Sequence, residues 1–188
     1  MILSKKDLKY YIHEDAVAIG YDKLSPFKKF IRTHFDKRIK FHIELRKYEY
    51  WSNRISRAKM GGQIWAFPML LYHYVVYKKL SYALGFTVHK NCFGPGLNIK
   101  HYGSVVVNPH TRVGRNCTLH TCVNIGEING KAPIIGDDVY FGPGVKMFGD
   151  ITIGNHVMIG ANAVVNKSFP QDHITLVGVP AHVVTKKN

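Results

Sequence analysis

Residues 135–165, "IGDDVYFGPGVKMFGDITIGNHVMIGANAVV", return a bulky apolar residue every six positions: Ile135, Phe141, Met147, Ile153, Ile159 and Val165. Six is neither the helical period nor the two-residue alternation of a half-buried strand. The same beat runs upstream through Phe93, Ile99, Val107, Val113, Leu119 and Ile125, making twelve units. The second position is often glycine: Gly94, Gly114, Gly126, Gly136, Gly142, Gly154 and Gly160. The fifth is apolar or small: Leu97, Thr111, Cys117, Val123, Val139, Val145, Ile151, Val157 and Ala163. Such a repeat implies a solenoid with short sides and sharp corners. The first and fifth positions point inward, the fifth into tighter space. The glycine is expected to relieve a corner at positive φ. Three units make one triangular coil, and coils stack at ~4.8 Å. Cys117 therefore reads as a small core residue.

Two units depart from six. The unit at Ile99, "IKHYGSVV", has eight residues, and the unit at Ile125, "IGEINGKAPI", has ten. An insertion cannot enter a stacked core, so it is extruded at a corner, where sites can be built. His101 lies inside the first break. Counting by units places His101, Thr121, Pro143 and Ala161 in one vertical ladder, ~14 Å from end to end at the stacking distance. That length suits a thin ligand lying along the axis.

Residues 1–85 read as helical, and the solenoid is expected over 86–184, followed by a basic tail at 185–188. Ser4 stands three positions before Asp7, as in a capping box. Residues 25–51 carry Phe27, Phe30, Ile31, Phe35, Ile39, Ile43 and Leu45 at helical spacing. Gly61-Gly62 is expected to break the pattern and Gly85 to close it. Between them, residues 64–77, "IWAFPMLLYHYVVY", lack Asp, Glu, Lys and Arg. They fall short of the ~20 residues needed to span a bilayer. Two readings stand: a buried helix of an oligomer, or docking at a membrane surface helped by Lys78 and Lys79.

The chain has 188 residues and a net charge of +14, unevenly spread. Residues 1–84 hold 17 Lys/Arg against 7 Asp/Glu, and the remainder 9 against 5. Nucleic acid, a membrane surface and an anionic ligand are the candidate partners. No recognised motif frames the basic residues for nucleic acid, so none is expected. Three cysteines with no CxxC pair suggest reduced thiols and a cytoplasmic location, peripheral at the inner membrane face if residues 64–77 dock there. No leader is read, because Lys5, Lys6 and Asp7 interrupt the start. No histidine–cysteine–carboxylate spacing suggests a metal.

The quoted repeat, with "IKHYGSVVVNP" and "LVGVPAHVV", resembles the hexapeptide-repeat acyltransferases, in particular their serine acetyltransferase-like branch. The resemblance implies a left-handed parallel β-helix, a homotrimer with sites at subunit interfaces, and acetyl-CoA as co-substrate. It implies that His101 is the catalytic base. Gly142, Pro143, Gly160 and Ala161 would line the pantetheine arm, with Lys167, and also Lys186 and Lys187, placed for the nucleotide phosphates. An imidazole, titrating near about 6.5, can take the proton of a hydroxyl attacking a thioester. Lys100, Tyr102, His120 and Glu127 are the candidate acceptor contacts, with His110 as a weaker one; Glu127 and Lys131, in the extruded loop, are expected to reach a neighbouring subunit.

The acceptor is read from departures. Serine enzymes of the branch keep acids where this chain has Thr87 and Lys100, and a second histidine near Ala132. The expectation drawn is therefore a sugar hydroxyl, as in surface or capsular polysaccharide biosynthesis. A serine O-acetyltransferase with a degenerate substrate motif is the alternative.

Overall fold

The computed structural model describes residues 1–21, 23–57 and 60–184. Lys186 and Lys187 lie outside them. Among the described residues four helices precede the solenoid: α1 (Lys5–Ala18), α2 (Pro26–Phe35), α3 (Lys37–Arg57) and α4 (Met60–Leu84). The α1 cap is the expected box: Asp7 N–H donates to Ser4 Oγ at 3.1 Å, and Ser4 N–H to Asp7 Oδ2 at 2.9 Å. The helical run of residues 25–51 divides at Asp36, whose carboxylate accepts the Arg38 N–H at 2.9 Å and starts α3. Gly61-Gly62 does not break the chain's helix, since α4 passes through it and through Pro68. Packing on α3 outweighs a propensity cost of about 1 kcal/mol per glycine.

The 64–77 stretch is only partly buried. Ala66, His73 and Tyr77 face inward, while Trp65 is 86% exposed and Phe67, Leu71 and Tyr72 also face out. His73 is satisfied inside by Glu44, Nδ1 to Oε2 2.6 Å. No helix among the described residues is long and apolar enough to cross a membrane.

From Phe86 on, the chain coils through three parallel sheets. One face carries β1 (Phe86–Thr87), β3 (Val105–Val107), β6 (Val123–Gly126), β9 (Lys146–Phe148) and β12 (Val164–Val165). A second carries β4 (Arg112–Val113), β7 (Ile134–Ile135) and β10 (Thr152–Ile153). The third carries β2 (Asn98–Ile99), β5 (Thr118–Leu119), β8 (Tyr140–Phe141), β11 (Met158–Ile159) and β13 (Thr175–Val177), closed by antiparallel β14 (His182–Val183). Every first-position residue from Phe93 to Val165 is buried, and so is every fifth-position residue named above. Cys117 sits in this core, and burial pushes its thiol well up. The three cysteines are free.

The glycine column has a different cause from the one expected. Second-position glycines are absent from the positive-φ set; the turn falls at the fourth position, at Asn116, Cys122, Asp138, Gly144, His156 and Asn162. Asn and Asp tolerate that region better than most side chains. The second position is reserved for glycine by the coil above. A Cβ on Gly136 would stand 2.7 Å from the Gly154 carbonyl oxygen, and one on Gly142 2.8 Å from the Ala161 nitrogen.

The helices are joined to the first coil through Arg46, which is fully buried on α3. It donates to Asp15 of α1 at 2.8 and 3.1 Å, to Glu49 at 3.0 Å, and to the carbonyls of Phe93 and Gly94 at 3.0 and 2.7 Å. Asp15 also accepts the N–H groups of Gly96 and Leu97, each at 2.9 Å.

Two stability outcomes follow from this packing. Arg46→Ala strands two buried carboxylates and should cost about 3–5 kcal/mol, read as a lower denaturant midpoint at constant slope. An unchanged midpoint would show the network to be dispensable. Gly136→Ala should cost about 1–3 kcal/mol by overpacking, seen in the same measurement.

Candidate active site

The corner after β2 is built by the eight-residue unit. Ile99 pairs with Leu119 before it, and Val105 with Val123 after it. Five residues lie between Ile99 and Val105, but three between Leu119 and Val123, so two are extruded. Lys100 is still in the ladder, its N–H donating to the Leu119 carbonyl at 3.0 Å. On the far side Gly103 stacks over Thr121, where a Cβ would meet Cγ2 at 3.3 Å. The extruded pair is therefore His101 and Tyr102 themselves. This corrects the expected ladder: Gly103, not His101, stands in line with Thr121, Pro143 and Ala161. His101 projects from the foot of that line, because a bulge pushes out the residues it adds and leaves the ones on either side in register.

Both extruded residues are exposed, Tyr102 by 58%. The His101 ring lies 5.7 Å from the His120 ring, centroid to centroid, at 53°. His120 Nε2 is 2.8 Å from the Tyr140 hydroxyl. Burial, then the neighbouring His101 and Lys100, hold the His120 imidazole below its ordinary value. An imidazole lowered in this way is neutral near pH 7, and Tyr140 fixes the orientation of the His120 ring. His101 makes no side-chain hydrogen bond among the described residues, so ring packing against His120 is what positions it there.

Arg38 supports the corner from below. Its Nη1 donates to the Lys100 carbonyl, and its guanidinium sits 5.5 Å from the centre of the Tyr102 ring. Asp36 holds Arg38 at 3.0 Å, and that ion pair lowers the Asp36 carboxyl, against the upward push of its burial. Neither Arg38 nor Tyr140 was among the residues expected at the site. Tyr140 was within reach of sequence reasoning, since it lies one coil above Thr118 on the face that also carries His120. Arg38 was not: it meets Lys100 across 62 positions with no shared pattern.

The other expected residues are placed as follows. Gly142 and Gly160 follow β8 and β11 and donate to the Ile159 and Leu176 carbonyls, each at 2.8 Å. Pro143 and Ala161 are exposed on the corner. The Pro143 carbonyl accepts the Asn162 N–H at 2.8 Å. Lys167 is exposed, its Nζ 5.5 Å from the Phe169 ring centre. Glu127 lies in the ten-residue unit and pairs with His110, not with His101, of its own chain at 2.8 Å. Lys131 pairs with Asp150 at 2.7 Å. No group of three or more His, Cys, Asp or Glu among the described residues could hold a metal ion.

The corner thus presents an imidazole, a second imidazole tied to a phenol, a lysine and a tyrosine at the foot of a line of small residues. Residues 132–167 match the family model described as bacterial transferase hexapeptide (six repeats). The chain is 36% identical to the serine acetyltransferase of Staphylococcus xylosus over 58% of each protein. It is 37% identical to that of Staphylococcus aureus strain Mu50 over 53% of this chain and 49% of the relative. It spans about half the length of the curated relatives it matches. Among solved structures, serine acetyltransferase from Neisseria gonorrhoeae superposes with a TM-score of 0.71 at 22% identity, covering 97% of this chain and 68% of that one. A serine acetyltransferase complex with CoA gives 0.70 at 21% identity, covering 96% and 71%. At those identities the structures establish the fold.

These relatives overturn the expected sugar acceptor and, with it, the expected place in polysaccharide biosynthesis. The relatives matched at 36–37% identity are serine acetyltransferases, and so are the structures that cover nearly all of this chain. The sugar reading rested on Thr87, Lys100 and Ala132. Those three side chains are single departures, and they leave the repeat that carries the relationship untouched. With the period of six, the three parallel faces and the matched model together, the β-helical part of this chain is a hexapeptide-repeat solenoid similar to that of the bacterial hexapeptide transferases.

Proposed function

We propose that the chain is an acetyl-CoA-dependent O-acetyltransferase whose acceptor is serine, with His101 as the general base. The observation that carries the reading is the extrusion of His101 from a transferase hexapeptide solenoid, beside an oriented, neutral His120. In this reading the His101 imidazole accepts the serine hydroxyl proton as the oxygen attacks the thioester carbonyl. The C–S bond then breaks, and the imidazolium returns the proton to the departing thiolate. A positioned base of this kind contributes ~10²–10⁴-fold. His120 acts through His101 as a positioning residue, and Tyr140 through His120.

The line Thr121, Pro143, Ala161 suits the thin arm of the acetyl donor, because its side chains are small and two of the three are exposed. Gly142 and Gly160 belong to the same track, and Lys167 is placed for the phosphates. Lys100 and Tyr102 flank the acceptor. A cation at Lys100 suits the carboxylate of an amino acid, where the expected acid would have met its ammonium. A homotrimer with sites at subunit interfaces is part of the proposal. It is supported by two exposed extrusions on one solenoid, His101–Tyr102 and the Glu127 loop, which a neighbouring copy could bring together.

Release of free thiol from acetyl-CoA in the presence of L-serine tests this directly. The parent protein should turn over serine, and His101→Ala should lower kcat/KM by at least about 100-fold with its circular dichroism unchanged. Failure of the parent to acetylate serine would remove the acceptor; full activity of the variant would remove the base. In an NMR titration His120 should protonate below the ordinary imidazole range. His101→Ala should move it part of the way back, since burial, the larger cause, remains.

A further inference from the structure

A cavity of about 640 Å³ lies away from His101, between the helices and the first coil. That volume is in the range of small-molecule sites, roughly 300–1,000 Å³. One wall is aromatic. Tyr48 stacks on Tyr77 with centroids 5.2 Å and planes 17° apart, and Tyr74 leans on Tyr48 at 5.3 Å. Cations converge on this wall. Lys78 Nζ stands 5.9 Å from the ring centres of both Tyr74 and Tyr77, and Lys90 Nζ 5.9 Å from that of Tyr48. Arg112 also lines the cavity, with one guanidinium nitrogen spent on the carbonyls of Pro109 and Thr111.

None of these three cations has a carboxylate partner among the described residues. The acid on the cavity wall is Glu49, and it is engaged already: one oxygen accepts from Arg46, the other from the Asn91 N–H at 2.7 Å. His89 adds no acid, and burial and Lys78 hold its imidazole below the ordinary value. Three like charges around an aromatic, half-enclosed wall repel one another, and an anion among them relieves that repulsion. A flat ring lying on the tyrosines would gain stacking contact as well.

We propose that this cleft binds a small anionic ligand with an aromatic ring, its ring against Tyr48 and Tyr74 and its anion between Lys78 and Lys90. The cleft shares no lining residue with the His101 corner of its own chain, and the ligand proposed for it is one other than the acetyl donor and acceptor. Because the cavity is walled by α1, α3, α4 and the first coil, its occupant would clamp the helices to the solenoid.

The probe is 8-anilinonaphthalene-1-sulfonate, which is aromatic, anionic and fluorescent in a dry cleft. Neutral N-phenyl-1-naphthylamine serves as the control. The full chain should bind the sulfonate saturably at one site. Lys78→Glu with Lys90→Glu should weaken that binding at least tenfold and leave the neutral probe's affinity within twofold. Tyr74→Ala, which keeps both charges, should weaken the sulfonate as well. Should the double variant lose its helical circular dichroism, exposed Arg112→Glu carries the same expectation. Sulfonate binding that survives the charge reversals would place the probe on the exposed face of α4 and overturn the proposal.

Discussion

The docking of the helices depends on one buried cation. Arg46 reaches α1 through Asp15, its own helix through Glu49, and the first coil through two backbone carbonyls. A guanidinium taken out of water is tolerable only when its donors are spent, and here five hydrogen bonds spend them, three to carboxylate oxygens and two to backbone carbonyls. The two acids respond oppositely. Burial raises the Glu49 carboxyl; at Asp15 the same upward push is exceeded by Arg46 and His42, and the carboxyl is lowered. With the helices fixed in this way, α3 can deliver Arg38 to the corner that carries His101.

The candidate site is a product of two structural levels. At the lower level, a solenoid tolerates two extra residues only at a corner, and the corner after β2 therefore holds a histidine and a tyrosine in solvent. At the higher level, the next coil supplies His120, the one after it supplies Tyr140, and the helical region supplies Arg38. The same division holds for the large cavity, whose tyrosines come from α3 and α4 and whose base comes from the first coil. Neither place exists in the repeat alone.

The repeat, the inward positions and the existence of both extrusions were legible before any coordinates. Each is a local rule applied over and over, so twelve units reinforce one reading. The errors were of a different kind. The glycine column was assigned to backbone strain, but its cause is the approach of the next coil, which lies 16 or more residues away. His101 was placed in the ladder, although the bulge contains it; a count of residues cannot say which two leave the register, while the Lys100 hydrogen bond on one side and the Gly103 contact with Thr121 on the other can. The sugar acceptor was inferred from Thr87, Lys100 and Ala132 taken singly, against a relationship carried by the rest of the solenoid.

Sequence by itself determined the β-solenoid, its three-unit coil and the break that exposes His101. The physical reason is that stacking in a solenoid is between nearest neighbours, so period and side-chain size suffice. Only the tertiary structure decided what surrounds that break. The contact of His101 with His120, the Tyr140 hydroxyl behind it, the Arg38 brace and the cation-lined cleft all join residues from separate coils or from the helices. Such contacts are selected by where packing brings the chain, and no spacing along the sequence encodes them.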